Sequence, residues 1–589
     1  MAAATGRGSH ANNISIDTPM SPPTWALLER ELLRAQSQAC QKFYERYFDE
    51  RGYLRCVPRW GGDDGADDAA ENLTGWTILH ALGAPDIVLE MYKKGWDGHV
   101  QQYTEAKTVE VPFARDGMYY KEFPVMFDWF HNGEGLSPFV YHGLSEPWDV
   151  SHRRRMARYA GFYMNEDPLA QNYDPEHKII KSMFNGSRGP MMRKATGLDW
   201  AGDPIEVEGR FKPGHGERDF EQMVAHFKDY NDVEGDHPLN LGTTTLALNA
   251  FMLTGDEKYR AWMLEYTDAW CERAAQNGGI VPTNIGLDGT IGGACDGKWY
   301  GGVYGWGFTV EVPQTGALAN RPYFRPRCYW AFANAFLLTG DQRYVDVWRN
   351  TLDAFSSNQR EIDGTTMYPH MFGDEGWYDF TPDPLSDGAL EIYYWSMDEA
   401  DRRRVPQNDW LEFLEGGDPD FPEKLLREEL ANIRQRVERI DADESTADTT
   451  MSDDMNRLNP GEVGTLERLM LGGLPTAHAG FPLHCRFRYF DPSLRRAGLP
   501  EDVAALVDGM SADETTLTLV NVNPVNPRSL VVQGGAYGEH QIVSVAQDGQ
   551  VRQVDSRSFA VDLAPGAGAQ VTIKMERFTN EPTLDFPLL

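Results

Sequence analysis

The chain has 589 residues, 41% hydrophobic and 12% aromatic, more than one ordinary core supports, so two domains or one large ring plus a second domain are expected. A formal charge of −34 argues against nucleic acid as a partner, while leaving room for a local basic pocket. The six cysteines, Cys40, Cys56, Cys271, Cys295, Cys328 and Cys485, form no CxxC pair; they read as buried thiols rather than a zinc, redox or disulfide framework.

In chain order, residues 1–23 are polar and rich in Ala, Gly, Ser and Asn, a flexible start without the apolar core of a signal peptide. No run reaches transmembrane length. The expectation is a cytoplasmic chain with no membrane partner, a trimmed secretory signal being left open. Residues 24–53 form an amphipathic helix with Leu27, Leu28, Leu32 and Leu33 on its apolar positions. The acidic loop 61–68 lacks the ligand spacing of a calcium loop and reads as a solvated cap for a helix over 69–82.

Ala250-Phe-Met-Leu-Thr-Gly-Asp256 then recurs as Ala335-Phe-Leu-Leu-Thr-Gly-Asp341. Each copy is an apolar helix end, a Gly for the left-handed residue past it, and an Asp to cap the next helix. Looser copies are Leu79-His-Ala-Leu-Gly83 and His142-Gly-Leu-Ser145-Glu-Pro-Trp-Asp149. Repeated helical hairpins must stack to bury their apolar faces. Between them lie long loops over 109–123, 166–213, 279–321 and 363–387, where Gly, aromatic and charged residues concentrate; loops of this length are usually functional. A charged helix over 414–440 is expected to run outward, and 441–460 reads as an acidic linker. Beyond it, period-two runs at 515–522, 529–533, 541–545, 559–563 and 569–574 mark an antiparallel β-sandwich over 461–589.

The expected fold is therefore mainly α with C-terminal β: an α/α toroid over 24–440, an incomplete barrel of helical hairpins, followed by an antiparallel β-sandwich. That domain order resembles the toroidal polysaccharide lyases and their relatives, and the same helical scaffold serves several glycoside hydrolase families. The resemblance rests on hairpin repeats and domain order across nearly the whole chain, with no family motif matched. It implies a carbohydrate-active enzyme.

Four segments supply candidate chemistry. Asp128, Trp129, His131 and Glu134, followed by Tyr141 and His142, crowd one helix boundary. Asn185 and Arg188 lie in a Gly-flanked loop suited to a carboxylate, which Arg binds in bidentate fashion. His237 precedes a helix N-terminus, where the dipole favours the neutral imidazole; Asn240 follows it. Trp299, Tyr300, Tyr304 and Trp306 stand among glycines, which lets a loop present flat aromatic faces to sugars; His370 sits in a similar, weaker segment.

These parts fit β-elimination on a uronate-containing oligosaccharide, an acidic substrate. Asn185 and Arg188 would neutralise the carboxylate. His142 or His237 would take the proton, with Tyr141 or Tyr304 as base or acid. Asp128, Trp129, His131, Glu134, Asn240, Trp299, Tyr300, Trp306 and His370 would bind substrate. No cofactor and no metal are required. The alternative is hydrolysis by paired carboxylates, Asp128 and Glu134, with Asp63, Asp64 or Glu208 as others. Loss of a 4-hydroxyl would make the same site a dehydratase, and a non-catalytic sugar-binding protein is the remaining class. The oligomeric state is left open.

Overall fold

The computed structural model describes residues 13–57, 66–105, 129–166, 172–181, 235–293, 295–300, 310–311, 318–319, 329–476 and 480–587. After α1 (Thr24–Tyr47) and α2 (Ala66–Glu71) come helical hairpins: α3 (Trp76–Leu82) with α4 (Asp86–Glu105); α5 (Trp129–Val140) and α6 (His142–Ser145) with α7 (Val150–Gly161); α8 (Thr244–Thr254) with α9 (Glu257–Gln276); α10 (Trp330–Thr339) with α11 (Gln342–Ser356); and α12 (Ala389–Ser396) with α13 (Glu399–Arg402). Neighbours pack in sequence, α8 against α7, α9 and α10, and α11 against α12. The result is an incomplete α/α toroid rather than a closed barrel. Among the described residues no helix is long and apolar enough to cross a membrane.

Inner and outer helices differ as their burial demands. Every residue of α8 up to Leu253 and of α10 up to Leu338 is buried, so these helices are apolar all round. Outer α11 buries only Tyr344, Val345, Val347, Trp348, Thr351, Leu352 and Phe355, a stripe at helical spacing. The short turns follow the repeated motif. Gly255 and Gly340 take φ of 69° and 67° after α8 and α10, and the Asp256 and Asp341 carboxylates accept from the Lys258 and Arg343 amides. Asp149 and Asp398 cap α7 and α13 in the same way.

Short strands β2 (Tyr173–Asp174), β3 (Ile179–Ile180), β4 (Val310–Glu311), β5 (Leu318–Ala319) and β6 (Arg360–Ile362) lie in the connections between the helices, and the C-terminal domain is a sandwich of two five-stranded sheets. One has the order β1–β16–β13–β9–β10, with β1 (Asn13–Ile16), β16 (Ser558–Leu563), β13 (Arg528–Gly534), β9 (Phe487–Asp491) and β10 (Arg496–Ala497). The other has the order β11–β12–β17–β14–β15, with β11 (Val503–Met510), β12 (Glu514–Asn521), β17 (Gly568–Glu576), β14 (Gln541–Gln547) and β15 (Gln550–Ser556). All pairings are antiparallel except β1 with β16, which runs Asn13 beside Ala560 to Ile16 beside Leu563.

Several boundaries differ from expectation. Residues 13–16, expected in a flexible start, form that parallel edge strand; residues 1–12 lie outside the described ones. The acidic stretch 441–460 is no free linker: the Asn72 side chain donates to Ser452 O (2.8 Å) and the Trp76 indole to Asn459 Oδ1 (2.8 Å), which fastens it to α2 and α3. The charged helix is α15 (Phe421–Ala442), after α14 (Asp409–Leu414), and it packs along α1 instead of running outward. Cys40, Cys56 and Cys485 are buried as expected, whereas Cys271 and Cys295 are half-buried; Cys328 lies outside the described residues.

The sandwich sits on one rim of the toroid, and its arginines show which. Arg496 donates to His80 O (2.9 Å) and also to Ala84 O at the end of α3. Arg488 donates to Leu144 O (2.6 Å) in α6. Arg577 donates to Tyr394 O (2.8 Å) and Trp395 O (3.0 Å) at the end of α12. Cations here satisfy the orphan carbonyls and oppose the negative end of each helix dipole. The sandwich thus covers the rim of short turns.

Arg488 is 3% exposed, and burial pushes its pKa down to about 10. It also donates to Ala536 O (2.8 Å). Arg488→Met should destabilise the chain by roughly 2–3 kcal/mol, because two buried carbonyls lose a charged donor while the cost of burying the charge is relieved. The urea midpoint of purified protein tests this; an unchanged midpoint would refute the capping role.

Candidate active site on the long-loop rim

The inner helices run from long connections at their N-termini to short turns at their C-termini. Residues 106–128, 162–243, 277–329 and 357–388 enter α5, α8, α10 and α12 respectively. A helix of ten residues spans about 15 Å, so these N-termini form a second rim away from the sandwich. After α16 (Gly464–Leu471), Gly480 and Phe481 reach in between the inner helices. A Cβ on Gly480 would meet Val140 and Thr245, and the Phe481 ring lies against Trp330, 5.4 Å between centroids.

Three groups of side chains stand on the long-loop rim. The first is built around Glu391 in the opening turn of α12. Gly388 precedes the helix with φ of 81°, and a Cβ there would run into the Trp348 and Tyr329 rings. That close approach sets α12 against Tyr329 at the start of α10, and the Trp348 indole donates to Asp387 O (2.7 Å). Glu391 is half-buried. Burial raises its pKa, with the Asp387 charge adding to it; its own backbone amide and the Tyr329 hydroxyl hydrogen-bond the carboxylate and oppose the shift. Protein thus crowds the carboxyl closely enough to favour its proton. Glu391 is also the single charged residue of inner helices α8, α10 and α12.

The second group surrounds Asp236, which is 1% exposed. Its carboxylate accepts from the Ile180 amide (3.0 Å), the His237 amide (2.8 Å), the Asn240 side chain (2.9 Å) and the Tyr266 hydroxyl (2.9 Å). Burial outweighs these bonds and raises its pKa to about 6. Asp236 therefore holds the 3₁₀ turn Pro238–Thr243 that leads into α8. His237 occupies the cap position of that turn and is buried.

The third group is aromatic. The Trp299 ring lies 5.0 Å from Phe372, Tyr300 lies 4.9 Å from Phe372, and Phe372 lies 4.8 Å from Trp377. Phe372 and Trp377 belong to the hairpin of β7 (Thr365–Gly373) and β8 (Gly376–Thr381), within a stretch expected to be loop. All four rings are half-buried. The Tyr300 hydroxyl hydrogen-bonds Asp374, whose carboxylate also pairs with Lys298 (2.8 Å). Residues 283–285 tie this platform to the second group. Ile285 exchanges backbone hydrogen bonds with Asp236, both 2.8 Å, and the Thr283 amide donates to Trp299 O (2.8 Å). Beside α3, a cavity of about 170 Å³ is lined by Thr74, Tyr141, Arg436, Arg457, Asn459 and Thr476.

The expected site residues distribute as follows. His237, Asn240, Trp299 and Tyr300 share the connected second and third groups. His370 lies on β7, its Nε2 2.9 Å from Asp383 O. Tyr141 is 3% exposed; its hydroxyl donates to Phe481 O, and burial holds its pKa well above the usual phenol value. His142 is buried against Tyr92, His152, Glu146 and Asp149, between α4, α6 and α7. Both side chains are buried, and Tyr141 lines the cavity beside α3. Trp129, His131 and Glu134 belong to α5, with side chains outside the described ones. Asp63, Asp64, Asp128, Asn185, Arg188, Glu208, Tyr304 and Trp306 lie outside the described residues. Glu391, Tyr329, Asp236, Phe372 and Trp377 stand outside the expected set. A lone carboxylate in the first turn of an otherwise apolar helix was the available signal for Glu391.

The chain belongs to the family described as Domain of unknown function (DUF8034), which matches residues 13–370 and 406–467. No curated protein matches it. Among solved structures, the GH76A alpha-1,6-mannanase from Salegentibacter sp. HEL1_6 is similar at 9% identity, covering 64% of this chain and 84% of that one, with a TM-score of 0.29. An inactive variant of that enzyme in complex with alpha-1,6-mannotriose is 8% identical and covers 74% of this chain and 99% of that one, with a TM-score of 0.31. A second inactive variant, with alpha-1,6-mannotetrose, is 9% identical and covers 75% and 99%, also with a TM-score of 0.31.

Proposed function

We propose that the chain is a carbohydrate-active enzyme that hydrolyses a glycosidic bond, with Glu391 as general acid. The carrying observation is the Glu391–Tyr329 pair. Burial raises the carboxyl's pKa while the residue is only half-buried, and a raised pKa favours the protonated form that a general acid donates to a leaving-group oxygen. The second carboxylate comes from Asp128 or Glu134; Glu134 is the one carboxylate of α5 as Glu391 is of α12. The half-buried Trp299, Tyr300, Phe372 and Trp377 faces suit stacked sugar rings, an apolar body with polar edges. β-Elimination stands second, because the buried Tyr141 and His142 are poorly placed for proton transfer to a substrate.

The test is a screen of neutral glycans, alpha-1,6-mannan among them, and of uronate polymers, read by product mass and ultraviolet absorbance. Gain of water without an absorbing product is the expected result; an unsaturated product would restore the lyase reading. On any active substrate, Trp299→Ala should raise KM about 3–10-fold with kcat within about twofold, the loss of one stacked face. An unchanged KM on long and short oligomers alike would remove the platform from the site.

A further inference from the structure

We propose that His142, Glu146 and Asp149 form a binding site for a divalent transition-metal ion of the zinc type. His142 and Glu146 stand four residues apart in His142-Gly-Leu-Ser-Glu146-Pro-Trp-Asp149, on one face of a helical turn, and Asp149 follows as the cap of α7. Nε2 of His142 lies 3.7 Å from Glu146 Oε2 and 3.8 Å from Asp149 Oδ2. Those distances are too long for hydrogen bonds. They suit two ligands of one ion, since bonds of about 2.0–2.2 Å in tetrahedral geometry put ligand atoms roughly 3.4 Å apart. One ligand atom from each residue lies within 4.8 Å of the other two.

The second observation is the state of the imidazole. His142 is 5% exposed, and its Nε2 is buried with no hydrogen-bond partner among the described residues. A buried ring nitrogen aimed at two carboxylates, each beyond hydrogen-bond length, leaves room for a third partner between them. The ring is held in that direction by the edge of Tyr92, 5.4 Å away at 89°, and by the His152 ring at 4.4 Å. One imidazole with two carboxylates favours zinc and its neighbours over calcium or magnesium, which take oxygen alone.

A competitor is already in place. The Lys93 ammonium lies 2.6 Å from Glu146 Oε2 and 2.9 Å from Asp149 Oδ2. Its side chain is 38% exposed, so it can swing into water and give up the carboxylates to an ion of twice its charge. Binding is therefore an exchange of Lys93 for metal. The site lies between α4, α6 and α7, beside the sandwich, where Trp148 meets Phe586 at 5.0 Å. A bound ion would clasp this hairpin, apart from the chemistry of the long-loop rim.

The experiment is calorimetric titration of the metal-free full chain with Zn²⁺, alongside thermal unfolding with and without the ion. One site is expected in the parent chain. His142→Gln and Glu146→Gln should each weaken it at least ~10-fold, and Lys93→Met should tighten it several-fold by removing the resident cation. The same site unaltered in both Gln variants would place the ion elsewhere and overturn the proposal, as would no binding by the parent chain. Weaker binding in Lys93→Met would overturn the exchange. If His142→Gln fails to fold, Glu146→Gln and Lys93→Met decide the matter, because both of those side chains reach solvent.

Discussion

Glu391→Gln is expected to lower kcat on an unactivated glycoside by on the order of 10²–10⁴-fold, the usual worth of a positioned proton donor, with little change in KM. Gln keeps the size and hydrogen-bonding capacity of the side chain and removes only the transferable proton. Aryl glycosides with good leaving groups need no such proton, so the variant should recover much of its rate on them. The Tyr329 hydroxyl works against the raised pKa of Glu391 by hydrogen-bonding its charged form. Tyr329→Phe should therefore raise that pKa further and move the alkaline limb of the kcat profile to higher pH. A profile unmoved in Tyr329→Phe would separate the two residues. Near-normal turnover by Glu391→Gln on unactivated substrate would discard the assignment.

What the residue order discloses depends on how far apart the interacting parts lie. The Gly255–Asp256 and Gly340–Asp341 turns are readable because both requirements, a left-handed residue and a side-chain cap, fall within two positions. The alternating strands β12, β13, β14, β16 and β17 are readable for the same local reason. β11, Val-Ala-Ala-Leu-Val at its start, is buried on both faces, so it carries no alternation to detect. β1 is only four residues long and becomes a strand because β16 offers an edge far along the chain. The site follows the same logic. Trp299 and Tyr300 stood out by their glycine-rich context, but Phe372 and Trp377 complete the platform from a hairpin whose position no local pattern gives. His142 looked catalytic beside Tyr141; its burial is decided by Tyr92 and Lys93 on α4, a helix outside the motif. Glu391 acquires meaning only once α12 is known to be an inner helix with its first turn on the open rim.

Stability should fall as pH rises from about 6.5 to 8, opposite to the trend set by surface ion pairs. Four fully buried carboxyls have raised pKa values: Glu29 at about 8, Glu467 and Glu539 at about 7, and Asp236 at about 6, burial being the leading cause in each. Unfolded, they titrate near the model-peptide values of about 4. Below that pH both states are protonated and the contribution of these groups is fully present. As pH rises, the unfolded chain releases protons that the folded chain keeps, so stability drops by about 1.4 kcal/mol per pH unit for each such group until its folded pKa is passed. Carboxylates with lowered pKa values, such as Asp149 and Asp401, lose their contribution only when the pH falls toward acid. The buried His80, His99, His152, His484 and His540 have pKa values lowered by burial, so they add stability as pH rises toward their unfolded value of about 6.5. The optimum therefore lies near about pH 6.5, and the apparent Tm should decline by on the order of 2–3 °C by pH 8. Glu29 carries the largest share above pH 7. One of its oxygens accepts from the Ala505 amide (3.1 Å), and the other is buried without a hydrogen-bond partner among the described residues. Glu29→Gln keeps the acceptor and cannot ionise, so the decline between about pH 6.5 and 8 should flatten. A Tm profile in that variant parallel to the parent's would show that the buried Glu29 proton is not what couples stability to pH.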